Sequence, residues 1–244
     1  MSAIDKYFSN LEDLLHKVLA SESDKLESAA QKIADCVLND GMVYTFGTGH
    51  GHLLALEIFY RAGGMVRVCP ILDEKLMLHI SASESSMWER NDGMAAELMA
   101  RYPVKAGDVL IAFSNSGRNA VPVELARLFR EKGGYVIALT NMNHTQSVSP
   151  RNKLGKRLFE EADLVLDNCG VLGDAAIQGS NGRMVGPTST AVGAAVLQAI
   201  VSRVDEIAAK RGQEIEFFAS SNIDGGDEIN NRFIEKYRGT IQSL

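Results

Sequence analysis

Residues 43–64 read VYTFGTGHGHLLALEIFYRAGG. An apolar run ends in the glycine cluster Gly47, Gly49 and Gly51, and apolar residues at helical spacing follow. The run reads as a buried strand and the spacing as a helix. Glycine lets a backbone come close to a ligand. A helix start presents unpaired N–H groups and the positive end of a dipole. The stretch therefore predicts a seat for an anion, built from Gly47, Thr48, Gly49 and His50.

Two large anion classes fit poorly. The dinucleotide fingerprint needs G-x-G-x-x-G, whereas here the third glycine falls one place early and position 52 is histidine. A nucleoside triphosphate loop ends in Gly-Lys-Ser/Thr, and none is present.

The same device recurs in VLIAFSNSGRNAVPVELARLF, residues 109–129. A continuous apolar strand leads into Ser114, Asn115, Ser116, Gly117, Arg118 and Asn119, and then into a helix with Pro122 in its first turn. A third cluster, GPTST at 186–190, brings Thr188 and Ser189 to the start of a long helix, about Ser189 to Lys210. Three helix starts rich in Ser, Thr and Gly predict a shared anion site at the carboxyl ends of parallel strands.

Further from the seats, residues 3–38 read as helix, with Leu11, Leu14, Leu15, Val18 and Leu19 in one stripe and Leu26, Ala29, Ala30, Ile33 and Val37 in another. Ser21 or Ser23 is placed to start a second helix within that span. VRVCPIL, YVIALT and ADLVLD read as further strands, residues 143–157 as a loop or short helix, and residues 73–93 as irregular. DGGDE at 224–228 lacks the ladder of a calcium loop and reads as a turn before a final helix capped by Asp227. Strands alternating with helices predict one α/β domain over 1–244: N-terminal helices at 1–38, an α/β core at 39–212, and a loop and helix at 213–244.

Composition narrows the partners. The net charge is −6, which argues against nucleic acid, because such proteins need a basic face. No apolar run approaches the roughly 20 residues of a membrane span, and the N-terminus lacks signal-peptide regions. Cys36, Cys69 and Cys169 are widely spaced and suit reduced thiols in a cytoplasmic protein.

The loops resemble those of the sugar isomerase (SIS) domain family. Its first loop, G-x-G-x-S, is matched by Gly47 and Gly49, with Gly51 in the serine's place. Its second, S-x-S-G followed by a hydroxyl residue, is matched by Ser114, Ser116 and Gly117, with Asn119 in the hydroxyl's place. PTST at 187–190, LMLH at 76–79, the ER-x-x-G of 89–93 and SSNIDGGDEINN at 220–231 extend the resemblance to a bacterial branch related to phosphoheptose isomerases. The resemblance implies a flavodoxin-like three-layer sandwich with a five-stranded parallel sheet. It also implies a sugar-phosphate ligand, and a homodimer or homotetramer with sites near subunit boundaries.

Aldose–ketose isomerisation needs a base to move a proton between adjacent carbons and an acid/base to open the ring. Burial can bring a glutamate toward that task. Glu57 follows the first loop on its helix, while Glu84 and Glu89 precede the second. Family members carry functional acids in comparable places. His79 is a candidate to open the ring, and His50 to line the pocket. Arg61 and Arg118 are candidates for phosphate or partner contacts. No cofactor is called for, and the metal-ligand histidines of some phosphoheptose isomerases do not map onto this chain. The expected function is a phosphosugar isomerase. A lyase, an etherase, a deaminating enzyme or a non-catalytic phosphosugar-binding regulator are the alternatives.

Overall fold

The computed structural model describes residues 1–244. Five strands form one parallel sheet: β1 (Val43–Gly47), β2 (Val68–Pro70), β3 (Val109–Phe113), β4 (Tyr135–Thr140) and β5 (Leu164–Asp167), in the order β2-β1-β3-β4-β5. β1 and β3 are buried along their whole length. Alternate residues serve opposite faces, as the pleat requires. Val43, Val109, Ile111 and Ile137 pack beneath α1 (Ala3–Leu38), α2 (Gly51–Glu57) and α7 (Ser189–Lys210). Tyr44, Phe46, Leu110 and Val136 pack beneath α4 (Met94–Met99) and α5 (Ala120–Glu131), with Tyr237 from the last helix, α8 (Gly226–Tyr237). The result is the three-layer α/β sandwich, with helices on both faces of the sheet.

The N-terminal segment is one continuous helix and not two. Ser2 caps it in a reciprocal box with Asp5. Ser21 and Ser23 lie on its exposed side, so neither is needed as a cap. The buried stripe passes between them at Glu22, which is paired with Lys25 at 2.9 Å and accepts from the Asp167 amide at 3.2 Å. Leu19 is the exception to the first apolar stripe and stands 63% exposed.

At the other end, the cap of α8 is Gly225, in the left-handed region at φ 81°, and not Asp227. Asp227 lies inside the first turn, where its charge still meets the positive helix end. Between β5 and α7 a two-stranded antiparallel ribbon is inserted, β6 (Ala175–Gln178) with β7 (Met184–Pro187). Its strands are short and partly exposed, and lack an alternating pattern that would mark them in the sequence. No helix is long and apolar enough to cross a membrane. The three cysteines are free and buried. Burial pushes the Cys36 thiol up to about 12 and that of Cys69 to about 11, so neither is a ready nucleophile.

Candidate functional site

The chain leaves β1 for β2 at one edge of the sheet and returns to β3 on the other side of β1. Above that switch point, at the carboxyl ends of the strands, lies a cavity of about 420 Å³. Its walls come from both glycine loops, from α3 (Ala82–Trp88) and the residue that ends it, from α6 (Met142–Ser147), and from the start of α7.

The second loop carries the open donors. The backbone amides of Asn115 and Ser116 make no bond within the chain, and both residues line the cavity. Ser114 turns its hydroxyl back to accept from the Gly117 amide at 3.1 Å. Gly117 sits at φ +58°, and a Cβ there would lie 2.9 Å from the Thr145 hydroxyl. Asn168 donates to the Asn115 side chain at 2.8 Å and holds the loop from below.

The first loop contributes side chains and the amides of Thr48 and His50, which likewise make no bond within the chain. The Gly49 N–H donates to the Leu76 carbonyl at 3.1 Å and is not free for a ligand. Thr48 and His50 line the cavity. Gly47 is where strand and helix approach most closely: a Cβ would lie 2.3 Å from the Gly51 carbonyl oxygen. Gly51 in turn rests on the next strand, where a Cβ would lie 2.9 Å from the Phe113 oxygen. That contact explains glycine in the family's serine position.

The third helix start is closed from within. Asp174 accepts from the Thr188 amide at 3.1 Å, the Ser189 amide at 2.9 Å and the Ser189 hydroxyl at 2.5 Å. A carboxylate already satisfies the positive end of α7, so these two amides are not open to a ligand. Ser189 still lines the cavity, whereas Thr188 is fully buried with its hydroxyl unpartnered.

Glu89 stands between the two open loops. Thr48 donates to one carboxylate oxygen at 2.7 Å and Asn119 to the other at 2.5 Å. Burial raises its pKa above the usual carboxylate range, against the pull of the Thr48 hydroxyl and of Arg90 and Arg151. Glu89 lines the cavity and the other two glutamates do not. Glu57 lies some 9 Å along α2 from its start, where it pairs with Arg61 and accepts from Gln198 of α7 at 3.0 Å. Glu84 is exposed on α3, one residue before the inward-facing Ser85.

The histidines divide in the same way. His79 is exposed outside the cavity, its ring 6.4 Å from that of His52. His144 of α6 lines the cavity, and its Nδ1 is buried without a partner. Burial lowers its pKa, Asp174 raises it and Arg118 lowers it. Sequence reasoning missed both His144 and Asp174, because neither stands beside a glycine loop. No group of three or more His, Cys, Asp or Glu side chains is placed to hold a metal ion.

Residues 6–141 match the SIS domain family. The UPF0309 protein of Geobacillus thermodenitrificans is 43% identical over 242 residues, 99% of this chain and 97% of that protein. A phosphoheptose isomerase from Francisella tularensis shares the fold with a TM-score of 0.58 at 14% identity, covering 84% of this chain and all of that one. The NanR protein of Vibrio vulnificus, solved with ManNAc-6P, shares it with a TM-score of 0.53 at 16% identity, covering 100% of this chain and 70% of that one. The alternation of strands and glycine loops, the sheet order and the cavity at the switch point thus have one common source: the chain belongs to the SIS domain family of phosphosugar-binding scaffolds, in its UPF0309 branch.

Proposed function

We propose that the protein is a cytoplasmic phosphosugar isomerase, working as a homo-oligomer, in which Glu89 moves the proton. The observation that carries this is the Glu89 carboxylate: inside the cavity, tied to both loops, with burial raising its pKa. A carboxylate oxygen has more than one lone-pair site, so each keeps capacity to take a proton while Thr48 and Asn119 hold it still.

The phosphate sits on the open amides of Asn115 and Ser116, within reach of the Ser116 hydroxyl. The sugar then extends past Glu89. Glu89 removes a proton from the carbon beside the carbonyl, and the electron pair passes to the carbonyl oxygen as an enediolate. The proton returns to the neighbouring carbon, while the adjacent hydroxyl's proton passes to the former carbonyl oxygen and leaves the new carbonyl behind. His144, neutral near pH 7 because burial disfavours its charged form, exchanges the ring-opening proton from α6, which packs against the second loop. This role moves from His79 to His144, because His144 lines the cavity. The phosphoheptose isomerase likeness supports an isomerase, and the phosphosugar-bound NanR likeness keeps a binding-only regulator as the competitor.

The test is a panel of aldose, ketose and amino-sugar phosphates followed by NMR. Interconversion of an aldose and ketose phosphate supports the isomerase. Cleavage or loss of ammonia assigns the same proton abstraction to a lyase or deaminating reaction. Saturable binding without turnover assigns the regulator.

A further inference from the structure

Asn115 lines the cavity beside the open amides of the second loop. An amide side chain has a donor on one side and an acceptor on the other. Which of the two meets a ligand depends on what holds the group. Here the orientation is dictated from behind. The Gly170 N–H can only donate, and it donates to Oδ1 of Asn168 at 3.0 Å. That leaves Asn168 its Nδ2, which donates to Oδ1 of Asn115 at 2.8 Å. At 4% exposed, Asn168 has little solvent to bond instead. Asn115, with its oxygen engaged, is left to present Nδ2. That nitrogen has no partner within the chain and is not sealed from solvent.

The loop's own acceptors are occupied as well. The Thr140 hydroxyl donates to the Ser114 carbonyl at 2.7 Å, and the Asn141 N–H to the Asn115 carbonyl at 3.3 Å. The Ser114 hydroxyl oxygen accepts from Gly117. What this loop offers a ligand is therefore donors: the backbone N–H groups of Asn115 and Ser116, the Nδ2 of Asn115, and the Ser116 hydroxyl. No lysine or arginine lines the cavity, so fixed dipoles and not a cation must hold an anion there.

We propose that the Asn115 side chain is a direct phosphate ligand, and that Asn168 is a positioning residue which, through the Gly170–Asn168–Asn115 relay, makes the seat donor-only. This rests on the phosphosugar assignment above and deepens it. A phosphate monoester has three oxygens that accept strongly, and as a dianion it carries no hydrogen to donate. A ligand group with its own O–H brings a hydrogen that this loop does not match. Asn168 thus selects for the fully ionised phosphate without touching it.

Calorimetric titrations with inorganic phosphate, glucose 6-phosphate and fructose 6-phosphate test the relay. Asn115→Ala should weaken the best-bound of the three by about tenfold or more, the scale of one hydrogen bond to a charged group. The loop keeps its Thr140, Asn141 and Ser114–Gly117 bonds in that variant. Asn168→Asp should weaken binding further. Its carboxylate still accepts from Gly170 but cannot donate, so Asn115 turns Nδ2 back toward it and shows Oδ1 to the phosphate. The added charge also repels phosphate. Asn168→Asp is therefore repeated in the Asn115→Ala background, where the charge remains and the relay does not. There its cost should be about tenfold smaller or less, a coupling that a merely structural role would not produce. With isotope-labelled asparagine, the Asn115 side-chain N–H resonances should shift on adding ligand to the wild type. Should Asn168→Asp fail to fold by circular dichroism, Asn115→Ala and those resonances decide alone. An Asn115→Ala protein that binds as tightly as wild type, unshifted Asn115 resonances, or an equal cost of Asn168→Asp in both backgrounds overturns the relay and leaves the phosphosugar assignment standing. Failure of all three ligands to bind the wild type overturns the phosphosugar assignment, and the relay with it.

Discussion

The Thr48 hydroxyl and the Glu89 carboxylate meet at 2.7 Å, although 41 residues separate them in the chain. Thr48 belongs to the first glycine loop, while Glu89 ends a helical excursion that returns over the cavity. With Asn119 on its other oxygen, the carboxylate ties the two loops together. It is therefore both the group proposed to move protons and a strut of the site.

Glu89→Gln keeps the side chain's volume and removes its charge. The turnover rate on the true substrate should fall by roughly 10²–10⁴-fold, the usual value of a positioned acid/base. Phosphosugar affinity should remain measurable, because the phosphate seat is separate. Glu57→Gln and Glu84→Gln should retain turnover. A Glu89→Gln enzyme at wild-type rate would remove Glu89 from the mechanism.

The raised pKa of Glu89 sets a pH dependence of both activity and stability. As a base it must be ionised, so activity should rise with pH through its elevated pKa. For stability the sign is opposite. A folded-state pKa above the unfolded value favours folding at low pH, and that contribution is lost as pH rises through the folded value. Glutamine does not titrate. The melting temperature of Glu89→Gln relative to wild type should therefore be higher near pH 7.5 than near pH 4, measured by thermal scans at both.

Ser116→Ala should weaken phosphosugar binding by about 1.5–3 kcal/mol, the range for a hydrogen bond to a charged group. The loop itself should persist, since the Ser114–Gly117 and Asn115–Asn168 bonds do not involve Ser116. Unchanged affinity by calorimetry would place the phosphate elsewhere.

Gly51→Ser would restore the residue usual in the family. Its Cβ would approach the Phe113 oxygen to 2.9 Å, a backbone atom that cannot step aside. The substitution should cost about 1–3 kcal/mol, as overpacking does, read from denaturant midpoints. A neutral effect would show that α2 shifts freely against β3.

The front of α1 leaves Ile4 70% and Phe8 60% exposed, beside Val185 of the ribbon. Apolar surface of that kind is usually covered. Light scattering at micromolar concentration should give at least a dimer, and Phe8→Lys should weaken it. A 26.5 kDa species for the wild type would contradict the proposal.

The sheet was legible because its strands are continuous apolar runs and its loops carry their glycines where strand meets helix. The second seat was legible for the same reason. What stayed hidden depends on contacts distant in the chain. Ser21 and Ser23 look like caps until Glu22 is seen paired below them. Thr188 and Ser189 look like open donors until Asp174 arrives from the ribbon. Choosing among Glu57, Glu84 and Glu89 required knowing which one the returning helix carries over the cavity. His144 carried no local signal at all.

Asp174 also gives the cavity a direction. The cavity wall holds the open amides of the second loop and also a carboxylate that has already claimed the start of α7. On the proposed seat, a phosphate would be drawn to the first and repelled by the second. The charge pattern would then orient the ligand before any hydroxyl is recognised. Exchanging Asp174 for asparagine would blunt that distinction and admit reversed, unproductive poses.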